Sequence, residues 1–142
     1  MKMLSSLVSY SRFIYTIADH FPSVKRAALV LKPVGSTIGE MEGELEFENQ
    51  VVLRVHEVID FSAGTLTYYS YTIYQEEQKL YWYDPQPHPG DPTLSSTYPH
   101  HKHVPPDIKH NRIPAPGLAF DQPNLPFLIH EIEEYLHKIG QK

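Results

Sequence analysis

Histidines are concentrated in one proline-rich stretch of this sequence. Five of the nine histidines lie between Asp84 and His110, where the chain reads DPQPHPGDPTLSSTYPHHKHVPPDIKH. Imidazole titrates near neutral pH, so it can exchange protons in catalysis, and it is also the commonest side-chain ligand of transition metals. Proline fixes φ and removes a hydrogen-bond donor, which excludes a central strand or a helix interior. We therefore expect an ordered surface loop that carries the functional site.

His101 and His103 form the pair with the most informative spacing. Residues two apart in an extended segment point to the same side, which leaves His100 and Lys102 on the other side. The prolines before and after this pair restrict the shape of the loop. The spacing thus predicts two imidazoles that face one common point.

Two kinds of chemistry fit this pair. As metal ligands, His101 and His103 would need a third group, which His88 or Glu57 could supply. In metal-free RNA cleavage, one imidazole would take the 2′-hydroxyl proton, the other would protonate the leaving oxygen, and Lys102 would stabilise the charge on phosphorus. Both mechanisms use one geometry, so the sequence leaves both open. The alternative to both is a solvated polar loop whose imidazoles cap turns.

Composition excludes several classes of protein. A length of 142 residues fits one domain with a real hydrophobic core. The net charge of −5 argues against a broad basic face for nucleic acid, so any contact with RNA would be local. The absence of cysteine excludes disulfides and thiolate zinc sites. We identify no signal peptide and no apolar run of about 18 residues that would span a membrane, and we expect a cytoplasmic protein.

The hydrophobic pattern predicts a helix, a strand meander, the proline-rich loop and a final helix. Apolar residues spaced three and four apart indicate a helix over residues 4–20. Alternating, aromatic and β-branched runs indicate strands at residues 24–31, 40–48, 51–61, 65–74 and 80–83. Short turns join these strands, so we expect an antiparallel meander over residues 24–84, followed by a loop over residues 85–123.

The final helix is predicted over residues 126–139. Asn124 lies where an N-cap residue is expected, and the last turn is basic and followed by Gly140. The element order indicates a single α+β domain over residues 1–142, with both helices packed on one face of an antiparallel sheet of about five strands.

Acidic residues occupy two different kinds of strand position. One strand alternates five glutamates with apolar residues or glycine, and these glutamates are Glu40, Glu42, Glu44, Glu46 and Glu48. Such a row is either a solvated face or a docking surface for a basic partner. Glu57 instead falls on the apolar face of the next strand, where a carboxylate needs partners or a raised pKa. The simpler interpretation of Glu57 is a strand-end carboxylate that pairs with Arg54 or solvent.

Four segments carry a resemblance to a known family. In order, they are Tyr71-Thr72-Ile73-Tyr74, Trp82-Tyr83-Asp84, Pro87-His88-Pro89 and Tyr98-Pro99-His100-His101-Lys102-His103. An aromatic strand, a Tyr-Asp step, a Pro-His element and a Pro-His-His-x-His element in this order resemble the TumE-like family of small bacterial toxin–antitoxin proteins. The similarity covers roughly residues 40–104. The family pattern has Asn-Ala-Pro-His-His after Tyr-Asp, whereas this chain has Pro85-Gln86-Pro87-His88-Pro89 and lacks the first Asn and the second His.

The resemblance implies a toxin that a cognate antitoxin neutralises, and it raises Asp84 from a turn residue to a site residue. It does not define the reaction. We therefore predict a type II toxin that acts on RNA or nucleotides by histidine acid/base chemistry, in the manner of a ribonuclease. The alternative is a non-catalytic protein that binds a metal or a partner. The predicted site residues are His88, His101, His103, Lys102, Asp84 and Glu57, with Tyr83 beside them. A divalent metal, if one is used, would bind His88, His101 and His103.

Overall fold

A computed structural model describes residues 3–140 as a seven-stranded sheet with helices at both ends. The helices are α1 (Leu7–Tyr15), α2 (Ile17–His20) and α3 (Leu125–Gly140). The strands are β1 (Arg26–Pro33), β2 (Ile38–Glu46), β3 (Val51–Asp60), β4 (Thr65–Gln75), β5 (Gln78–Asp84), β6 (His101–His103) and β7 (Arg112–Pro114). The strands are ordered in the sheet as in the sequence, and every neighbouring pair is antiparallel. Among the described residues, no helix is long and apolar enough to cross a membrane.

The predicted α+β class and antiparallel meander are confirmed, but the predicted number of strands is too low. The two additional strands, β6 and β7, lie within residues 85–123, which the sequence indicated as a loop. Each has three residues and is flanked by prolines, so neither shows an alternating pattern long enough to detect. A 3-10 turn at Pro92–Thr97 also lies in this segment. The proline-rich segment therefore extends the sheet.

The N-terminal helical region is less regular than a single helix over residues 4–20. A 3-10 turn precedes α1, and the chain leaves helical geometry at Thr16 between α1 and α2. Ser6 caps α1, since its Oγ accepts a hydrogen bond from the Ser9 backbone N–H at 3.2 Å. The buried face runs through Tyr10 and Ile17, whereas Val8, one of the apolar residues whose spacing indicated the helix, is 59% exposed. The sequence pattern thus located the helical region and missed part of its buried face.

The core lies between the helices and one face of the sheet. Buried residues of α1, α2 and α3 belong to the same cluster as the inward-facing residues of β1 to β5. On β2, Met41 and Leu45 are fully buried, as the alternation predicted. At the start of α3, the Asn124 carbonyl accepts from the Leu128 N–H, while its side chain bonds the backbone of Ala119. Asn124 therefore ties α3 to the preceding loop.

The row of glutamates on β2 is matched by basic residues on the neighbouring strands. Glu46 pairs with Arg26 at 2.5 Å, Glu44 with Arg54 at 2.9 Å, and Glu40 with Lys32 at 3.7 Å. Glu40 and Glu42 also contact His56, at 3.0 and 3.5 Å. The fifth glutamate, Glu48, lies beyond β2 in a 3-10 turn. Three of the five glutamates thus have a lysine or arginine partner, and the docking of a basic partner on this row stays a prediction.

Candidate functional site

The pairing of β5 with β6 brings four side chains onto one face of the sheet. His103 lies opposite Trp82, and His101 lies opposite Asp84. Directly opposite residues of antiparallel strands project to the same face, where their side chains interact. The two-residue spacing of the histidines therefore matches that of Trp82 and Asp84.

The carboxylate of Asp84 and the two imidazoles converge on one point. The Nε2 atom of His101 lies 3.1 Å from Asp84 Oδ1, and the Nε2 atom of His103 lies 3.2 Å from Oδ2. The two Nε2 atoms are 3.1 Å apart. His101 and His103 are 1% and 5% exposed, whereas the Asp84 side chain retains 20% exposure. The histidines are thus enclosed, and the carboxylate connects them to solvent.

Backbone carbonyls fix the orientation of both imidazoles. The Nδ1 atom of His101 lies 3.1 Å from the carbonyl of Pro99, and that of His103 lies 3.1 Å from the carbonyl of Ile108. A carbonyl only accepts hydrogen bonds, so each Nδ1 carries a proton and donates it. The remaining nitrogen of each ring, Nε2, is the one directed at the carboxylate.

Trp82 supports both the carboxylate and one imidazole. Its ring stacks on His103 with centroids 4.1 Å apart and an interplanar angle of 19°. Its Nε1–H donates to Asp84 Oδ2 at 3.1 Å. The Gln86 backbone N–H donates to the other carboxylate oxygen at 3.0 Å. These contacts restrict the rotamers of the cluster, which favours a precise arrangement over a mobile one.

Burial and hydrogen bonding set the charges of this cluster. Burial alone would raise the pKa of Asp84, but hydrogen bonds from His101, the Gln86 N–H and Trp82 outweigh it, so the pKa lies well below its usual range. Burial lowers the pKa of His103, and the nearby Asp84 carboxylate offsets this only in part. Near neutral pH, Asp84 is therefore ionised and His103 is neutral.

His88 lies beside the cluster, and His100 lies away from it. The rings of His88 and His101 meet edge to face, with centroids 4.9 Å apart. Partial burial, together with the charges of Arg112 and His101, lowers the pKa of His88. His100 stacks on Tyr69 on the opposite face, and its Nδ1 bonds the Tyr69 hydroxyl. The structure thus brings His88 next to the pair and separates His100 from it.

Lys102 and Tyr83, which the sequence associated with the histidine pair, point to the other face of the sheet. The Lys102 Nζ lies 3.1 Å from Glu131 on α3 and 4.1 Å from the centroid of the Tyr81 ring. The Tyr83 hydroxyl donates to both carboxylate oxygens of Glu131, at 2.9 and 2.7 Å. These residues attach β5 and β6 to α3. Lys102 is therefore not positioned to act beside the two imidazoles.

Glu57 is also outside the histidine cluster. It is fully buried on the core face of β3, where the Tyr10 and Tyr71 hydroxyls each donate to it at 2.5 Å. Burial raises the pKa of Glu57, although both hydrogen bonds act in the opposite direction. Arg54, the partner suggested by the sequence, pairs with Glu44 on the outer face. Glu57 is a core carboxylate that connects α1 to the sheet.

Arg112 lies beside the cluster, at a position that sequence reasoning missed. It lies opposite His103 in the pairing of β6 with β7. Its Nε is buried without a hydrogen-bond partner, and it takes part in none of the ion pairs found in residues 3–140. Its charge contributes to lowering the pKa of His88. The sequence held no signal for this position, because residues 112–114 were assigned to the loop.

A surface cleft opens beside the exposed edge of the cluster. Its volume is about 610 Å³, and its lining includes Asp84, Tyr68 and Phe120. Tyr68 is 41% exposed, so its ring is accessible to a ligand in the cleft. Asp84 thus belongs to both the cleft and the cluster, and its carboxylate lies between the cleft and the two buried imidazoles.

Comparison with known proteins gives one family. No curated protein and no solved structure matches the chain significantly. The profile of the family described as Toxin TumE matches residues 14–136, which is most of the 142 residues and includes the segment from Asp84 to Arg112. This confirms the resemblance carried by the Tyr-Asp and Pro-His-His-x-His elements, over a longer range. The chain belongs to the TumE toxin family.

Proposed function

We propose that this protein is the toxin of a toxin–antitoxin pair and acts enzymatically on RNA or a nucleotide at the cluster of Asp84, His101 and His103. Membership of the toxin family supports the toxin role. The observation that carries the choice of site is the convergence of two buried imidazoles on a partly exposed carboxylate beside a cleft. Such concave sites with a few converging polar groups are where ligands bind.

The unpaired guanidinium of Arg112 supports a phosphate-containing substrate. A planar guanidinium can donate two parallel hydrogen bonds to a phosphate, and it has no carboxylate partner of its own among the described residues. The chain as a whole carries a net charge of −5. Attraction to a nucleic acid would therefore depend on this local positive charge rather than on a broad basic face.

The aromatic residues in the cleft support a nucleobase as part of the substrate. Proteins recognise single-stranded RNA by stacking unpaired bases on aromatic side chains. Tyr68 and Phe120 both line the cleft that reaches Asp84. A nucleotide bound there would place its base on the rings and its phosphate towards Arg112.

The geometry suggests a division of roles among the histidines. In-line displacement at phosphorus has the entering and leaving oxygens on opposite sides. The Nε2 atoms of His101 and His103 are only 3.1 Å apart, so they face one side together rather than opposite sides. We therefore assign the proton-transfer role to His88, whose lowered pKa keeps it neutral and able to accept a proton.

The proposed partner is an antitoxin encoded by a neighbouring gene, and the proposed place of action is the cytoplasm, where RNA is available. Expression should be induced in cells with and without that neighbouring gene while growth is recorded. The toxin alone should stop growth, and co-expression of the neighbour should restore it. Normal growth at a verified level of folded toxin would contradict the proposal.

The substrate class needs a separate experiment on purified protein. Wild type should cleave single-stranded RNA or a free nucleotide, and His88→Gln should lose this activity. His110→Gln is the matched control, because His110 is exposed in the same segment and pairs only with Asp107. Growth arrest without any change in RNA or nucleotides would exclude the proposed substrates. Equal loss in both variants would remove His88 from its proposed role.

A further inference from the structure

The cluster of Asp84, His101 and His103 has the donor atoms and dimensions of a metal site. Both Nε2 atoms and a carboxylate oxygen lie within 4.8 Å of one another. Two nitrogen ligands about 2.0–2.1 Å from a tetrahedral ion lie roughly 3.3–3.4 Å apart. The observed separation of 3.1 Å between the two Nε2 atoms is close to this value.

The hydrogen bonds of the imidazoles place a proton on each Nδ1 and leave Nε2 as the nitrogen directed into the cluster. Each Nδ1–H is directed at a backbone carbonyl, that of Pro99 or Ile108. A metal ion binds an unprotonated Nε2, so binding would displace the proton that His101 Nε2 shares with Asp84. A carbonyl that accepts from the distal nitrogen is the usual outer-shell support of a metal-bound histidine.

Electrostatics also favours a cation at the centre. Two Nε2 atoms and a carboxylate face one another in a region where both histidines are at most 5% exposed. A positive charge at the centre, either a shared proton or a metal ion, stabilises such a set in a low-dielectric environment. Among the described residues, no lysine or arginine forms an ion pair with Asp84.

We propose that Asp84, His101 and His103 bind one divalent transition-metal ion of the zinc type. Two imidazoles and one carboxylate suit zinc and similar ions, whereas calcium and magnesium prefer oxygen ligands alone. Three protein ligands leave at least one coordination position open, and the exposure of Asp84 directs it towards the cleft. A catalytic role of this ion rests on the proposed function. The proposal that the ion binds does not depend on that function.

This site differs from the one predicted from the sequence. The sequence named His88 with His101 and His103, whereas the structure supplies Asp84 as the third ligand, with His88 adjacent. A second group, Glu40, Glu42 and His56, also meets the spacing for a metal. That group lies on the outer face and contains a carboxylate already paired with Lys32. We do not propose it as a metal site, and we use it as a control for metal binding.

Trp82 allows binding at this site to be observed directly. It is the single tryptophan of the chain, and its ring stacks on His103. Cobalt(II) and nickel(II) quench indole fluorescence at short range, while zinc does not quench in this way. Chelator-treated protein should therefore lose fluorescence on addition of cobalt(II), saturate at one ion per chain, and recover when zinc displaces the cobalt.

Three variants locate the site. Asp84→Asn keeps the size of the side chain and should weaken cobalt and zinc binding by roughly tenfold or more. His56→Gln and His110→Gln should bind as wild type does, because neither residue lies in the cluster. Circular dichroism should confirm that each variant is folded, and zinc should raise the Tm of wild type but not of Asp84→Asn.

Two outcomes would overturn the inference: no quenching of folded wild type by cobalt, or binding that Asp84→Asn leaves unchanged. Toxicity distinguishes this inference from the proposed function. Metal binding without growth inhibition would retain the site and reject the function. Growth inhibition by a protein that binds no metal would retain the function and reject the site.

Discussion

Arg112 brings an unpaired positive charge next to His88 and His103. Its buried Nε makes no hydrogen bond, which is a costly arrangement unless a ligand supplies the acceptor. A polar group that lacks a hydrogen-bond partner in the free protein and gains one from a bound ligand is expected at a binding site. We therefore expect Arg112 to serve ligand binding more than stability.

Replacing Arg112 by methionine tests this assignment. Methionine has a similar length and no charge, so folding stability should stay within about 0.5 kcal/mol of wild type or rise. Loss of a charged hydrogen bond of about 1.5–3 kcal/mol should raise the KM for RNA or nucleotide roughly 10- to 100-fold. Urea unfolding and steady-state kinetics measure the two effects. Lower stability with an unchanged KM would make Arg112 a structural residue.

The site residues differ in how far the sequence could locate them. The spacing of His101 and His103 predicted their common direction, because alternation is a local property of an extended chain. Asp84 was identified only through the family resemblance, since an aspartate before a proline is also an ordinary turn residue. Arg112 could not be located at all, because its position depends on the register between two three-residue strands.

At the level of secondary structure, the two faces of β6 carry side chains with different contacts. His101 and His103 face the cleft side, and Lys102 faces α3, where it contacts Glu131 and Tyr81. The sequence placed Lys102 in the site because it lies between the histidines. In a strand, that position directs it to the opposite face.

Lys102→Met tests this separation. The variant loses a partly buried ion pair and a contact with an aromatic ring, which should lower the free energy of unfolding by about 1 kcal/mol. Growth inhibition should persist, because the histidine cluster is unchanged. Urea unfolding and the induced-expression assay give the two readouts. A folded Lys102→Met protein that no longer inhibits growth would show that toxin activity requires Lys102.

In the whole molecule, Glu57 is an ionisable group in the hydrophobic core. Tyr10 on α1 and Tyr71 on β4 both donate to it, and Asn124 before α3 donates to Tyr71 at 3.2 Å. This network joins both ends of the chain to the middle of the sheet. The sequence showed that Glu57 falls on the apolar face of its strand, but not which distant hydroxyls satisfy it.

Glu57 predicts a specific dependence of stability on pH. Burial raises its pKa in the folded protein above the ordinary value of 4.5. Between 4.5 and the raised pKa, the folded protein holds one more proton than the unfolded chain, so the free energy of unfolding falls as the pH rises through this interval. The contribution of Glu57 is complete below 4.5 and is lost above the raised pKa.

Glu57→Gln removes this titration while keeping the size of the side chain. The difference in unfolding free energy between wild type and variant should decrease with rising pH, because the other titrating groups cancel in the comparison. Urea unfolding at a series of pH values from 4 upwards measures this difference. Parallel curves for the two proteins would show that Glu57 does not titrate in this interval.

The most direct test of the histidine cluster as the centre of toxin activity is growth inhibition by Asp84→Asn. Asparagine keeps the volume of the side chain and one acceptor oxygen, which can serve either the Gln86 or the Trp82 N–H group, and it removes the charge that the two imidazoles face. Asp107→Asn is the control, because its carboxylate is 62% exposed in the same proline-rich segment. With equal expression and confirmed folding, Asp84→Asn should allow normal growth and Asp107→Asn should arrest it as wild type does. Growth arrest by folded Asp84→Asn at the wild-type level would contradict the assignment of the site.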